Sequence, residues 1–204
     1  MIRQEYLDAV ALFSSNEKVA LTYWDEISHA YEDKKRFYHN LQHLETLCAL
    51  LSEVKDSISD WPAIVFAIVY HDIIYDAYSS ANESKSAEVA RERLVHIHVP
   101  GITVERVVNI ILSTRDHNLS ADADCNLFLD ADLSVLGSAP AEYLVYAERV
   151  RKEFEFVPSL IYRAGRKKIL KRFLERDSIF KTNVFKDRFE EQARKNILAE
   201  IDSL

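Results

Sequence analysis

The 204-residue chain predicts an all-α protein, and three observations carry that expectation. Glycine and proline number only 3 and 4, too few for sheets joined by tight turns. Apolar residues recur at helical spacing through most of the sequence. The composition, 48% hydrophobic and 29% charged, is that of a globular chain long enough to bury a sizeable core. No repeat, low-complexity tract or linker divides it, so residues 1–204 read as a single domain, a helical bundle.

The elements follow in order. A first helix is expected over 2–14, with Tyr6, Val10 and Phe13 on one face. Ser15 or Asn16 caps a second, Glu17–Tyr31, which carries Val19, Ala20, Tyr23, Trp24 and Ile27 at helical spacing. His29, near its end, reads as a cap or surface residue. A third helix spans 40–54. Asp60 caps a fourth, with Pro62 in its first turn, running to about residue 75. Asn82 or Ser84 opens a fifth that reaches 98, where Pro100-Gly101 is a stop signal, and Thr103 caps a sixth over 104–113. The polar stretch STRDHNLSADAD reads as a loop, and 126–135 as a short apolar segment broken by Gly137 and Pro140. Helices over 141–155, 158–176 and 184–201 complete the chain.

The charge balance narrows the partners. A formal net charge of −7 argues against duplex nucleic acid, which needs a basic face. A small phosphorylated substrate is compatible with it, because a metal ion supplies positive charge locally. No apolar run is long enough to span a bilayer, and the N-terminus carries no signal-peptide pattern. Cys48 and Cys125 form neither a zinc-type pair nor a disulfide framework, so a reducing, cytoplasmic setting is expected.

The chemistry centres on AIVFAIVYHDIIYD, residues 63–76. His71 and Asp72 lie side by side at the end of an apolar run, where a carboxylate is costly without a positive partner. A divalent cation held partly by the neighbouring histidine supplies one. Upstream, RFYHNLQHLETL carries His39 and His43, four apart and on one face if the segment is helical. Downstream, NLFLDADLSVLG carries Asp130 and Asp132. Nitrogen and carboxylate ligands suit zinc, iron, manganese, cobalt or nickel, with magnesium possible if carboxylates and water dominate. The alternative is that His39, His43 and His71 are satisfied core groups, but three histidines with two or three acids make a costly polar core without a cation.

The order His43, then His71-Asp72, then Asp132 resembles the HD superfamily of metal-dependent phosphohydrolases. YHNLQH resembles the YHNxxH segment of cyclic-nucleotide phosphodiesterases in that superfamily, and ADLS resembles their last metal-ligand segment. With NESKSA, STRDH and the late ARKN, the set is similar to a bacterial group of small HD phosphohydrolases over most of the chain, from about Trp24 onward. The resemblance implies an HD-type bundle in which His43, His71, Asp72 and Asp132 bind a divalent metal. It implies hydrolysis of a phosphate mono- or diester, of a nucleotide or similar metabolite, by metal-activated water. It gives His39 the role of proton donor to the leaving oxygen. Asp72 also orients the water. Asp132 rather than Asp130 matches the family segment, which leaves Asp130 to orient a ligand histidine.

Three further residues are candidates. Arg36 precedes His39 and reads either as a phosphate clamp or as a surface ion pair. Glu83, in NESKSA, reads as a proton acceptor, a water-mediated metal contact, or simply a helix-start carboxylate. His117, between Asp116 and Asn118, reads as a second-metal or phosphate contact. His96 and His98 read as solvated, which leaves few ligands for a second ion. The cluster Arg163, Arg166, Lys167 and Lys168 reads as a solvated helix face. Two other functions fit the same pattern: a di-iron oxygenase on this fold, and a non-catalytic metal- or nucleotide-binding module.

Overall fold

The computed structural model describes residues 1–204 and is all-helical, with ten α-helices, two short 3-10 turns and no strand. The helices are α1 (Ile2–Ala11), α2 (Glu17–Tyr31), α3 (Leu41–Glu53), α4 (Trp61–Tyr70) and α5 (Asn82–His96). They continue as α6 (Gly101–Ser113), α7 (Ala123–Leu133), α8 (Pro140–Glu153), α9 (Ser159–Leu174) and α10 (Asn183–Ser203). The 3-10 turns are Lys55–Ser57 and Ser134–Gly137. No helix is long and apolar enough to cross a membrane.

The chain groups into two compact units, Met1–Phe128 and Leu129–Leu204, and the division falls inside α7. The first unit is built around α4. Every side chain from Ala63 to Tyr70 is buried there, and each large one contributes about 1.5–3 kcal/mol. Helices α1, α3, α5 and α6 pack against α4, and α5 pairs with α6. The start of α4 is set by Asp60, whose Oδ1 accepts from the Ala63 N–H at 3.1 Å, with Pro62 in the first turn, a cap of about 1 kcal/mol.

In the second unit, the Ser134–Gly137 turn packs against α10 and α8, and α9 packs against α10. Gly137 is required by close approach: a Cβ there would fall 2.5 Å from the Phe189 carbonyl oxygen. Asn196 Nδ2 donates to the carbonyls of Leu136 and Ser138, both at 2.9 Å, and so holds the turn to α10.

Several boundaries differ from those expected, each for a local reason. Helix α4 ends at Tyr70 rather than near 75, so His71 is its C-cap and Asp72 lies in the following turn. Helix α6 begins at Gly101 with Pro100 as N-cap, because proline suits a helix start as well as a stop. Thr103 therefore lies inside the helix, its hydroxyl 3.5 Å from Asp60 Oδ2. The polar segment before α7 is a fastening as much as a loop. Asp124 accepts from the Ser59 and Asp60 N–H groups at 3.0 and 2.9 Å, and Asp122 holds Arg106 by a bidentate pair at 2.7 Å. Arg166 is not on a solvated face: its side chain is 9% exposed and forks onto Glu200 at 2.8 and 3.1 Å.

Candidate metal centre

Two features of the backbone bring the central histidine to bear. His71 Nδ1 lies 2.9 Å from the Ile68 carbonyl oxygen. A carbonyl only accepts, so Nδ1 carries a proton. That carbonyl is the one the Asp72 N–H would use in a continued helix. The Asp72 N–H instead donates to the Tyr31 hydroxyl at 3.1 Å. The end of α4 and the orientation of the His71 ring are thus one event.

Nε2, the other ring nitrogen, meets two polar atoms. His71 Nε2 lies 3.2 Å from His43 Nε2 and 3.2 Å from Asp72 Oδ2. Both histidines are buried, and the Asp72 side chain is 18% exposed. His43 reaches this position from the first turn of α3, whose N-cap Asn40 accepts from the Gln42 N–H at 3.0 Å.

Helix α7 carries a third candidate. Within the first unit, the Phe128 ring packs edge-on against His71 with centroids 5.6 Å apart. Asp132 follows four residues later on the same helix, hence on the same face. His43, His71 and Asp132 each offer one ligand atom, and these atoms all lie within 4.8 Å of one another. Ligands about 2.0–2.2 Å from a shared ion sit about 3.0–3.5 Å apart, and the His43–His71 separation of 3.2 Å lies in that range. The group could hold a metal ion, and its nitrogen and carboxylate donors suit a first-row divalent cation.

The remaining expected residues fall as follows. His39 lies before the N-cap of α3, so it does not share a helical face with His43, yet their ring centroids are 5.9 Å apart. Its ring is stacked on Tyr75 at 4.5 Å. Arg36 is 9% exposed, so it is no surface ion pair. It donates to the Asp72 and Ile73 carbonyls at 2.6 and 2.9 Å. Glu83 is half-buried in the first turn of α5. His117 is half-buried beyond α6, in the left-handed region at φ 48°, with its N–H donating to the Ser113 carbonyl. His29, His96 and His98 are exposed.

Asp130 does not orient a ligand histidine. It is fully buried and accepts from the Lys181 and Thr182 N–H groups, at 2.8 and 2.7 Å, and from the Thr182 hydroxyl at 2.8 Å. The Lys181 ammonium lies 3.5 Å from it. Burial holds that ammonium below the ordinary lysine value, against the pull of Asp130. A helix turns residues two apart in widely different directions, which is how Asp130 and Asp132 serve different ends.

Tyr31, Tyr75 and Ser86 are parts of the site that sequence reasoning missed. Ser86 accepts from the Ile74 N–H at 3.1 Å and pins the end of the dyad turn to α5. Tyr75 stands in the YHDIIYD run, where an aromatic next to candidate ligands was the available signal. Tyr31 and Ser86 carry no such local mark.

Comparison with family models, with curated proteins and with solved structures gives no match to this chain.

Proposed function

We propose that this chain is an HD-type metal-dependent phosphohydrolase acting on a phosphate mono- or diester, of a nucleotide or a similar small metabolite. The observation that carries the reading is the convergence of His43, His71 and Asp132 ligand atoms within 4.8 Å of one another. In this reading these three residues hold a divalent ion, with Asp72 beside His71 Nε2 as the fourth contact. Manganese, cobalt, nickel, zinc, iron and magnesium are the candidate ions. A bound divalent ion supplies a Lewis acid for a phosphoryl oxygen and lowers the pKa of water.

The chain's own residues do the rest. His43 and His71 present imidazole nitrogens, and the Ile68 carbonyl holds the His71 ring by its Nδ1–H. Asp72 accepts a hydrogen bond from the attacking water and so orients it. His39, held against Tyr75, donates a proton to the leaving oxygen. Glu83 and His117 are the candidate proton-accepting and phosphate-contacting groups of this reading. The buried thiols of Cys48 and Cys125 support a reducing, cytoplasmic setting.

The test is phosphate release from a panel of nucleotides and simple phosphate esters, with manganese, cobalt or magnesium added, by wild type and Asp132→Asn. The reading predicts metal-dependent release that Asp132→Asn abolishes. Metal bound normally with no ester in the panel hydrolysed, or release unaffected by Asp132→Asn, overturns it.

A further inference from the structure

The turn that carries His71 and Asp72 has little helical support of its own, because α4 ends at Tyr70. Its carbonyls need partners from elsewhere. One side chain supplies two of them, and the Ser86 hydroxyl takes the Ile74 carbonyl at 3.3 Å. Arg36 Nη1 donates to the Asp72 carbonyl at 2.6 Å and Nη2 to the Ile73 carbonyl at 2.9 Å. Nη1 also lies 3.4 Å from the His39 carbonyl. The guanidinium is buried, 4.7 Å from the Tyr31 ring centroid and 5.4 Å from that of Tyr75. Tyr31 is the residue whose hydroxyl takes the Asp72 N–H, and Tyr75 is the residue stacked on His39.

We propose that Arg36 is a positioning residue: it fixes the direction of the Asp72 carboxylate and ties the His39 segment to the His71–Asp72 turn. The inference rests on the metal-centre reading above and gives Arg36 a role exercised through the main chain of the dyad turn. Asp72 is held on both sides, its N–H by Tyr31 and its C=O by Arg36, so the backbone angles that aim its side chain are fixed. A site of this kind tolerates displacements of about 0.5 Å or 10–20°. Lysine does not replace the fork, since a single ammonium cannot present two nitrogens in a plane to successive carbonyls.

The experiment is cobalt(II) titration of wild type, Arg36→Lys and Arg36→Gln, reading the visible absorption bands and the affinity, with far-UV circular dichroism as the folding control. We expect both variants to keep the helical signal while cobalt affinity falls about 10–100-fold and the bands shift. A residue needed only for packing would lower the melting temperature and leave the folded protein's cobalt spectrum and affinity unchanged; that result overturns the inference alone. Loss of the helical signal in both variants also overturns it, by making Arg36 a requirement of the fold. A wild type that takes up no cobalt overturns the metal-centre reading and this inference with it.

Discussion

The Ile68 carbonyl oxygen accepts the His71 Nδ1–H at 2.9 Å, and this contact replaces the next main-chain bond of α4. It orients the imidazole and ends the helix without glycine or proline. Nε2 of the same ring faces His43 Nε2 and Asp72 Oδ2, each at 3.2 Å. Polar groups this close in a buried site are stabilised by a proton or a cation between them.

Metal addition should therefore raise stability. An ion at about a hundred times its dissociation constant adds about 2.7 kcal/mol, which for a chain of this length is a rise in Tm of about 5–10 °C. Differential scanning calorimetry with and without cobalt or manganese measures it, and excess chelator should reverse it. An unchanged Tm over a wide range of ion concentrations is the contrary outcome.

Asp130 makes a different prediction from Asp132. Asp130→Ala removes the acceptor of two main-chain N–H groups and the carboxylate beside the Lys181 ammonium, which keeps the Ile179 carbonyl. It should cost about 3–5 kcal/mol of stability in urea denaturation. Asp132→Asn should cost far less stability and lose metal binding.

Gly137→Ala should destabilise the second unit. The added Cβ would meet the Phe189 main chain, which cannot move aside as a side chain tip can. A loss of about 1–3 kcal/mol is expected, read as an earlier urea midpoint with α10 affected first in hydrogen exchange.

Acid should loosen the fastening between α6 and α7. The hydrogen bond from Arg106 holds the Asp122 carboxyl below its ordinary value of 3.8. A carboxyl depressed in the folded state contributes stability that is present above its unfolded value and lost as pH falls through its folded value. The contribution of Asp122 should be intact at pH 5 and above and should fade below about pH 4. Asp122→Asn should flatten that part of the stability profile, measured by urea denaturation from pH 6 to pH 2.5.

What the sequence made legible was local. Helix α2 lies where its apolar spacing and the Asn16 cap place it, Glu17–Tyr31. The scarcity of glycine and proline matches the absence of strands. His43, His71 and the Asp130/Asp132 pair stood out as polar residues at apolar segments, the resemblance chose Asp132 of the pair, and His43, His71 and Asp132 form the group that could hold an ion. The end of α4 was not legible, because it depends on the Tyr31 hydroxyl from another helix. The same holds for Arg36, Arg166 and Asp130. Their partners, the Asp72 carbonyl, Glu200 and Thr182, lie 36, 34 and 52 residues away. Periodicity reports which face of a helix is buried, and it carries no information on which distant main-chain group a long side chain will find.

The most direct test of the metal centre is the metal content of the purified chain after equilibration with cobalt, manganese or zinc and removal of loose ions, comparing wild type with Asp132→Asn. We predict about one tightly held ion per wild-type chain and its loss in the variant, with the helical content of both unchanged. Absence of bound metal in the wild type under every condition, or equal retention by both proteins, would contradict the assignment of His43, His71 and Asp132 as its ligands.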